Sequence, residues 1–208
     1  MKRFLFGISV NKFFALVTSG LALLCLALAF TLELVTLGSG ALNFSNIWNY
    51  GLLFITFIVL IMMNARNDDR AYLGIFFLIF FIAFDGLYGI GSTIRSIATM
   101  LTSGSIAFAA LELASLVLWA GQLGLGVALY ILLARYRVGR TSNFKLVRLL
   151  MILFLIAFAL TTAWSFISAF LLLASLSPLY YVALGFYYGS QLAGAICCLF
   201  TLNRLRRL

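Results

Sequence analysis

Six apolar runs of bilayer length leave this chain few ways to fold. They fall at about 13–37, 47–64, 71–99, 106–134, 146–174 and 179–202 of the 208 residues. A helix rises ~1.5 Å per residue and a hydrocarbon core is ~30 Å thick, so about 20 apolar residues cross it. The runs are continuously apolar rather than alternating, which excludes a transmembrane β-barrel. Charged residues make up only 9% of the chain, where a soluble domain carries about a quarter. The expected fold is all-α: a polytopic bundle of six transmembrane helices forming one transmembrane domain over 1–208, with no soluble domain.

The breaks between runs are short and polar. GSGALNFSN ends the first, NARNDDR the second, LTSGS the third, RYRVGRTSNFK the fourth, and SLSP, with the only proline, the fifth. With six spans, both termini and the loops 64–71 and 135–145 share a side. That side holds Lys2, Arg3, Lys12, Arg66, Arg70, Arg135, Arg137, Arg140, Lys145, Arg148, Arg204, Arg206 and Arg207, every basic residue except Arg95. The positive-inside rule then puts both termini in the cytoplasm. The net charge of +9 is explained by topology, with anionic lipid as a secondary partner, and a nucleic-acid role is excluded. The setting expected is a bacterial cytoplasmic (inner) membrane.

The N-terminus resembles a secretory signal, and Ala27-Leu28-Ala29 has the form of a cleavage site. The apolar run continues to Leu37, so an uncleaved signal anchor is expected. Its start, MKRFLFGISVNKFF, is amphipathic and suited to the inner interface. Cys25, Cys197 and Cys198 show no metal-ligand spacing, and there is no histidine. Neither a metal nor a cofactor is expected.

Four ionisable residues fall within the runs: Glu33, Asp85, Arg95 and Glu112. Charges at such depth face a bundle interior or an aqueous cavity. Asp85 is about 21 Å beyond Ala71 at helical rise, and Glu112 about 9 Å below Ile106. Measured so, both carboxylates fall ~9 Å beneath the outer surface of a ~30 Å core, which lets them share a proton or bind one cation. Arg95, about 15 Å further out than Asp85 on a straight helix, is expected to pair with Glu33, with Glu112 as the alternative or headgroup snorkelling for both.

At about 100° per residue, Asp85, Tyr88, Gly89, Ser92, Ser96 and Thr99 share a stripe, and Phe76, Phe77, Phe80 and Phe84 project elsewhere. Span four offers Glu112, Ser115, Trp119, Gln122 and Tyr130. Span five offers Thr161, Trp164, Ser165 and Ser168, and span six Tyr180, Tyr187, Gln191, Gly194 and Cys198. Spans three to six are expected to converge on a polar interior, with apolar span two (GLLFITFIVLIMM) peripheral and lipid-facing. Interhelical hydrogen bonding accounts for many such hydroxyls without any ligand.

The glycines at 86, 89 and 91 in span three, and at 121, 124 and 126 in span four, lie in apolar helices rather than after strands, so they are not nucleotide fingerprints. Close helix packing is their expected role, as for the small residues Gly185, Gly189, Ala193 and Cys197 of span six. The two halves of the chain show no convincing internal repeat.

These features imply a transporter or a membrane-embedded transporter subunit. The candidate binding set is Asp85, Tyr88, Ser92, Glu112, Trp119, Gln122 and Gln191, with Glu33 and Arg95 as an outer ion pair. The alternative is a non-catalytic assembly, immunity or sensor subunit that docks a partner. Candidate partners are the lipid bilayer, another membrane protein or a cytoplasmic ATPase. An enzyme is not expected, because no nucleophile or phosphate-binding motif accompanies the carboxylates.

Overall fold

The structure, a computed structural model, describes residues 4–5, 8–38, 44–102, 106–138, 143–172 and 177–205. Lys2, Arg3, Arg140, Arg206, Arg207 and the expected end of span five at Ala174 lie outside them. Six helices dominate: α1 (Val10–Leu37), α2 (Phe44–Ala65), α3 (Ala71–Thr102), α4 (Ile106–Arg137), α5 (Phe144–Leu172) and α6 (Pro178–Leu205). All six include stretches long and apolar enough to cross a membrane. Ahead of α1, β1 (Phe4–Leu5) and β2 (Ile8–Ser9) pair antiparallel, Phe4 opposite Ser9 and Leu5 opposite Ile8. The second of these short strands runs directly into the first helix.

Each helix end has a local cause. Gly38 closes α1 at φ 56°, and its N–H reaches the carbonyl of Leu34; glycine enters that left-handed region without a Cβ penalty. After α2, Asn67 takes φ 55°, and the Asp68 carboxylate accepts the N–H of Arg70 at 2.8 Å, a side-chain-stabilised turn. Asn143 Oδ1 accepts the N–H of Leu146 at 3.2 Å to begin α5. In SLSP, Ser177 Oγ accepts the N–H of Tyr180 at 3.3 Å, and Pro178 takes the first helical position, where its missing donor costs nothing.

The chain divides into two compact units: 1–78 with 175–208, and 79–174. The first therefore contains α1, α2, the opening turns of α3, and α6. The second contains the rest of α3, α4 and α5.

In the first unit α6 is the central helix. It is the least apolar of the six spans, yet Ser190, Gln191, Ala193, Gly194, Ala195, Cys197, Cys198, Thr201, Leu202 and Arg204 are all buried. Small side chains let its neighbours approach. A Cβ on Gly194 would clash with the Phe57 ring and stand 3.0 Å from Leu78. Helices α2 and α6 run parallel in one register: Tyr50 with Tyr187, Phe57 with Gly194 and Asn64 with Thr201 are all offset by 137 residues. Helix α1 runs antiparallel to α6, with Phe14 stacked on Phe200 at 5.2 Å and the Cys197 thiol donating to the Ala15 carbonyl at 3.3 Å.

Two expectations are corrected here. Helix α2 is not peripheral: Leu53, Phe57 and Leu60 are wholly buried, while Ile55, Ile58 and Met62 cover its outer face. Association in a bilayer runs on shape as much as polarity, and the Phe57 ring fits where α6 has only a glycine. Helix α6 belongs with α1 and α2, so its polar residues are in a different unit from those of spans three to five.

Candidate functional site

In the second unit, α3 and α4 pack antiparallel in a register fixed by several contacts. The Trp119 ring covers Gly89 so closely that a Cβ there would clash, and a Cβ on Gly86 would lie 3.4 Å from the Trp119 carbonyl oxygen. One on Gly126 would meet Ala83 at 2.8 Å and Phe154 at 3.1 Å. These three glycines serve packing; Gly91, Gly121 and Gly124 have open space beside them.

Hydrogen bonds continue this register. The Gln122 Nε2 donates to the Ile82 carbonyl at 2.9 Å, and the Ser96 hydroxyl donates to Glu112 Oε1 at 3.2 Å. Toward α5, Trp164 Nε1 donates to Ser115 Oγ at 2.8 Å. The Thr161 hydroxyl donates to Ala157 carbonyl oxygen at 2.9 Å and lies 3.4 Å from that of Leu118.

The register separates the two carboxylates. Glu112 is level with Ser96, which lies eleven residues beyond Asp85 on the same helix, an axial distance of about 16 Å. They do not share a depth, and a shared proton or cation is not built between them. The expectation measured one helix from each end against a ~30 Å core. Helices α3 and α4 each have 32 residues, or about 48 Å, so opposite reference points misplace one residue against the other. Asp85 lies near the middle of α3, level with the Gln122 region of α4, and Glu112 lies near the Ile106 end.

Gln122 is 0% exposed. Its Oε1 has no partner among the described residues, and neither does the buried Thr162 Oγ1. Asp85, half-buried, stands one helical turn from the Ile82 carbonyl that holds the Gln122 amide. Asp85, Gln122 and Trp119, which covers Gly89 one turn on, form the midlength polar group of this unit.

The other candidates are placed differently. Tyr88 is 75% exposed, and Ser92 is exposed with its hydroxyl on the Gly89 carbonyl at 2.9 Å. Arg95 and Thr99 are also exposed. The buried face of α3 runs instead through Ile82, Gly86, Gly89 and Thr93. Glu33 belongs to the first unit and Arg95 to the second. Gln191, also in the first unit, is 0% exposed with neither amide atom partnered among the described residues.

The first unit holds a polar network that sequence reading did not single out. The Asn64 amide donates to Leu60 O at 2.8 Å and to Thr201 Oγ1 at 3.0 Å, and Thr201 bonds the Cys197 carbonyl at 2.9 Å. Lys12 Nζ donates to the Ala65 carbonyl at 2.8 Å and Arg204 Nη2 to that of Asp68 at 2.9 Å. Cations at a helix C-terminus satisfy its last carbonyls and oppose its dipole. Two residues counted only for topology thus also hold the end of α2 and the turn that follows it.

Among the described residues no group of His, Cys, Asp or Glu could hold a metal ion. The chain matches no protein-family model, no curated protein and no solved structure.

Proposed function

We propose that this protein is a transporter, or the membrane-embedded subunit of one, with a polar binding site at the midlength of the second unit. The supporting observation is Gln122: wholly buried, one amide end anchored on Ile82, the other unpartnered, one turn from Asp85. A buried carbonyl oxygen without a donor costs free energy in an apolar setting, and a carboxylate within a span costs more. A permeant solute with hydrogen-bond donors or positive charge satisfies both. Asp85 supplies charge, Gln122 an acceptor, and Trp119 a wall. Glu112, held by Ser96 nearer the helix ends, serves as an outer relay for the same solute.

On this reading both termini are cytoplasmic, in keeping with the positive-inside rule, and the membrane is a bacterial inner membrane. Arg135, Lys145 and Arg148 are exposed, which suits them to a cytoplasmic ATPase or to anionic lipid. The same exposure favours the second reading, a non-catalytic assembly, immunity or sensor subunit docked through this loop.

The test is a substrate screen on proteoliposomes, reading currents and labelled-solute uptake for amino acids, sugars and monovalent cations. Transport by the wild-type chain, abolished in Asp85→Asn and reduced in Gln122→Leu, is expected. Transport unchanged by both substitutions sinks the assignment of the site. Absence of transport, with a stable partner recovered in mild detergent that is not an ATPase, favours the docking reading.

A further inference from the structure

Four helix termini of the first unit border the 66–70 loop: the start of α1, the end of α2, the start of α3 and the end of α6. Backbone bonds close α2 here. Asn67, at φ 55°, donates its N–H to the Asn64 carbonyl at 3.3 Å, and Asp68 donates to that of Met63 at 2.9 Å. These are the paired bonds of a Schellman closure. Lys12 Nζ donates to the carbonyl of Ala65, and the Ala71 N–H to that of Asp68 at 3.2 Å. These carbonyls therefore have donors without Arg204.

Arg204 is nevertheless drawn in. It is 6% exposed, and its Nη2 adds a second donor to the Asp68 carbonyl at 2.9 Å. Its Nε and Nη1 are buried and without partners among the described residues. A guanidinium is permanently charged and has five N–H donors, and a buried charge without a counter-ion is costly. The offset of 137 residues between α2 and α6 puts Arg204 level with Asn67. Asn67, Asp69 and Arg70 are exposed, so an ion reaches the guanidinium by displacing loop side chains rather than helices. The Asp68 carboxylate is held on the Arg70 N–H. Asp69 lies within electrostatic reach of Arg204 and is the competing anion. Arg66 is also exposed, so Lys12, Arg66, Arg70 and Arg204 outnumber the two carboxylates. One turn before Arg204, Phe200 stacks on Phe14 at 5.2 Å, and Phe14 is 38% exposed. An accessible apolar surface thus adjoins the cationic corner.

We propose that Arg204, at this corner of the first unit, binds a phosphate group of the kind an anionic lipid carries. A phosphate supplies a counter-charge and several acceptors to guanidinium edges that have neither. Lys12, bonded to the same turn, and Arg66 and Arg70 within it raise the local positive potential, as basic pockets at the ends of membrane helices do for lipid headgroups. An acyl chain continues past the Phe14–Phe200 pair along the apolar length of the helices. Free phosphate offers the same oxygens to Arg204 but nothing to the rings. The inference concerns the first unit and does not rest on the transport reading.

Native mass spectrometry of the full chain in detergent, titrated with phosphatidylglycerol, diacylglycerol and inorganic phosphate, tests this. Phosphatidylglycerol is expected to give a saturable first adduct, and diacylglycerol, which lacks the phosphate, none. Arg204→Met weakens the phosphatidylglycerol adduct by about tenfold or more, the scale of one lost charged contact. Arg204→Lys, which keeps the charge, binds better than Arg204→Met and guards against a folding defect in either. Asp69→Asn removes the competing carboxylate and strengthens the adduct by about twofold. Phe14→Ala weakens the lipid adduct and leaves inorganic phosphate unaffected. Inorganic phosphate that displaces the lipid at equal concentration assigns the site to the free anion, and failure to displace it assigns the site to the lipid. Saturable binding of neither phosphate compound, equal adducts with diacylglycerol, or equal binding to Arg204→Met overturns the proposal. So does an Asp69→Asn protein that loses thermal stability without binding more lipid, since Asp69 is then the partner of Arg204.

Discussion

Each unit buries a glutamine near the middle of a helix, and the two are treated differently. In the second unit Gln122 is anchored on the Ile82 backbone, and paired polar groups are spread along the helices, from Trp164 with Ser115 to Ser96 with Glu112. In the first unit a cluster of bonds between helices sits at the 66–70 loop end, through Asn64, Thr201, Cys197, Lys12 and Arg204, and Gln191 has no partner among the described residues. Both units seat an aromatic ring on a glycine, Phe57 on Gly194 and Trp119 on Gly89; the first adds to this seam a polar cluster beside the 66–70 loop, the second polar pairs spread along its helices.

The sharpest way to break this contrast is to fill the seam. Gly194→Val forces Cβ into Phe57 and should cost about 3 kcal/mol, seen as loss of monodisperse protein in detergent. Gly126→Val in the second unit, against Ala83 and Phe154, should cost nearer 2 kcal/mol. Equal or reversed effects in thermal denaturation would remove the distinction between a seam and a distributed contact.

Polar deletions come next. Asn64→Leu breaks the closure of the first unit and should lower stability by about 1–2 kcal/mol, since Thr201 loses its amide partner. Gln191→Leu should have the opposite sign, raising stability by about 1 kcal/mol, because it removes a buried amide without a partner among the described residues. A destabilised Gln191→Leu protein would mean that the amide is satisfied structurally.

The second unit should respond less to any one deletion. Ser115→Ala removes the Trp164 bond and should cost about 0.6 kcal/mol, the usual scale within membrane bundles. The smallest effect is expected at Gly121, which has open space beside it. Gly121→Ala should stabilise by about 0.5 kcal/mol through backbone entropy. A marked loss at Gly121 would show that this helix face packs against something more than lipid.

How far the sequence could be read follows from the range of each signal. Helix starts and stops came within three residues wherever both ends are described, because the apolar runs and the Gly38, Asn143 and Ser177-Pro178 signals act over a single turn. The outward projection of Phe77, Phe80 and Phe84 was also legible, since one-helix periodicity decides it. The stripe of α3 was read from its polar residues and came out rotated. Its buried side holds Gly86, Gly89 and Thr93, while Tyr88 and Ser92 are exposed, because close approach of Trp119 outweighs the polarity of a tyrosine or serine at the helix surface. In Lys12 and Arg204 the charge was legible and the partner was not, since Ala65 and Asp68 accept through backbone carbonyls that carry no sequence signal.

The amino-acid sequence by itself determined that this chain forms six helices apolar enough to cross a membrane, where each begins and ends, and which few polar groups lie within them. Those properties depend on transfer energy and local capping, which are sums over neighbouring residues. Tertiary structure alone decided that α6 is central and α2 packed, that Asp85 and Glu112 stand about 16 Å apart along the helix axis, and that Gln191 is buried in the first unit. These are matters of register between helices. Register is set by which side chain fits against which glycine, and in a lipid solvent no hydrophobic gradient along the sequence announces that choice.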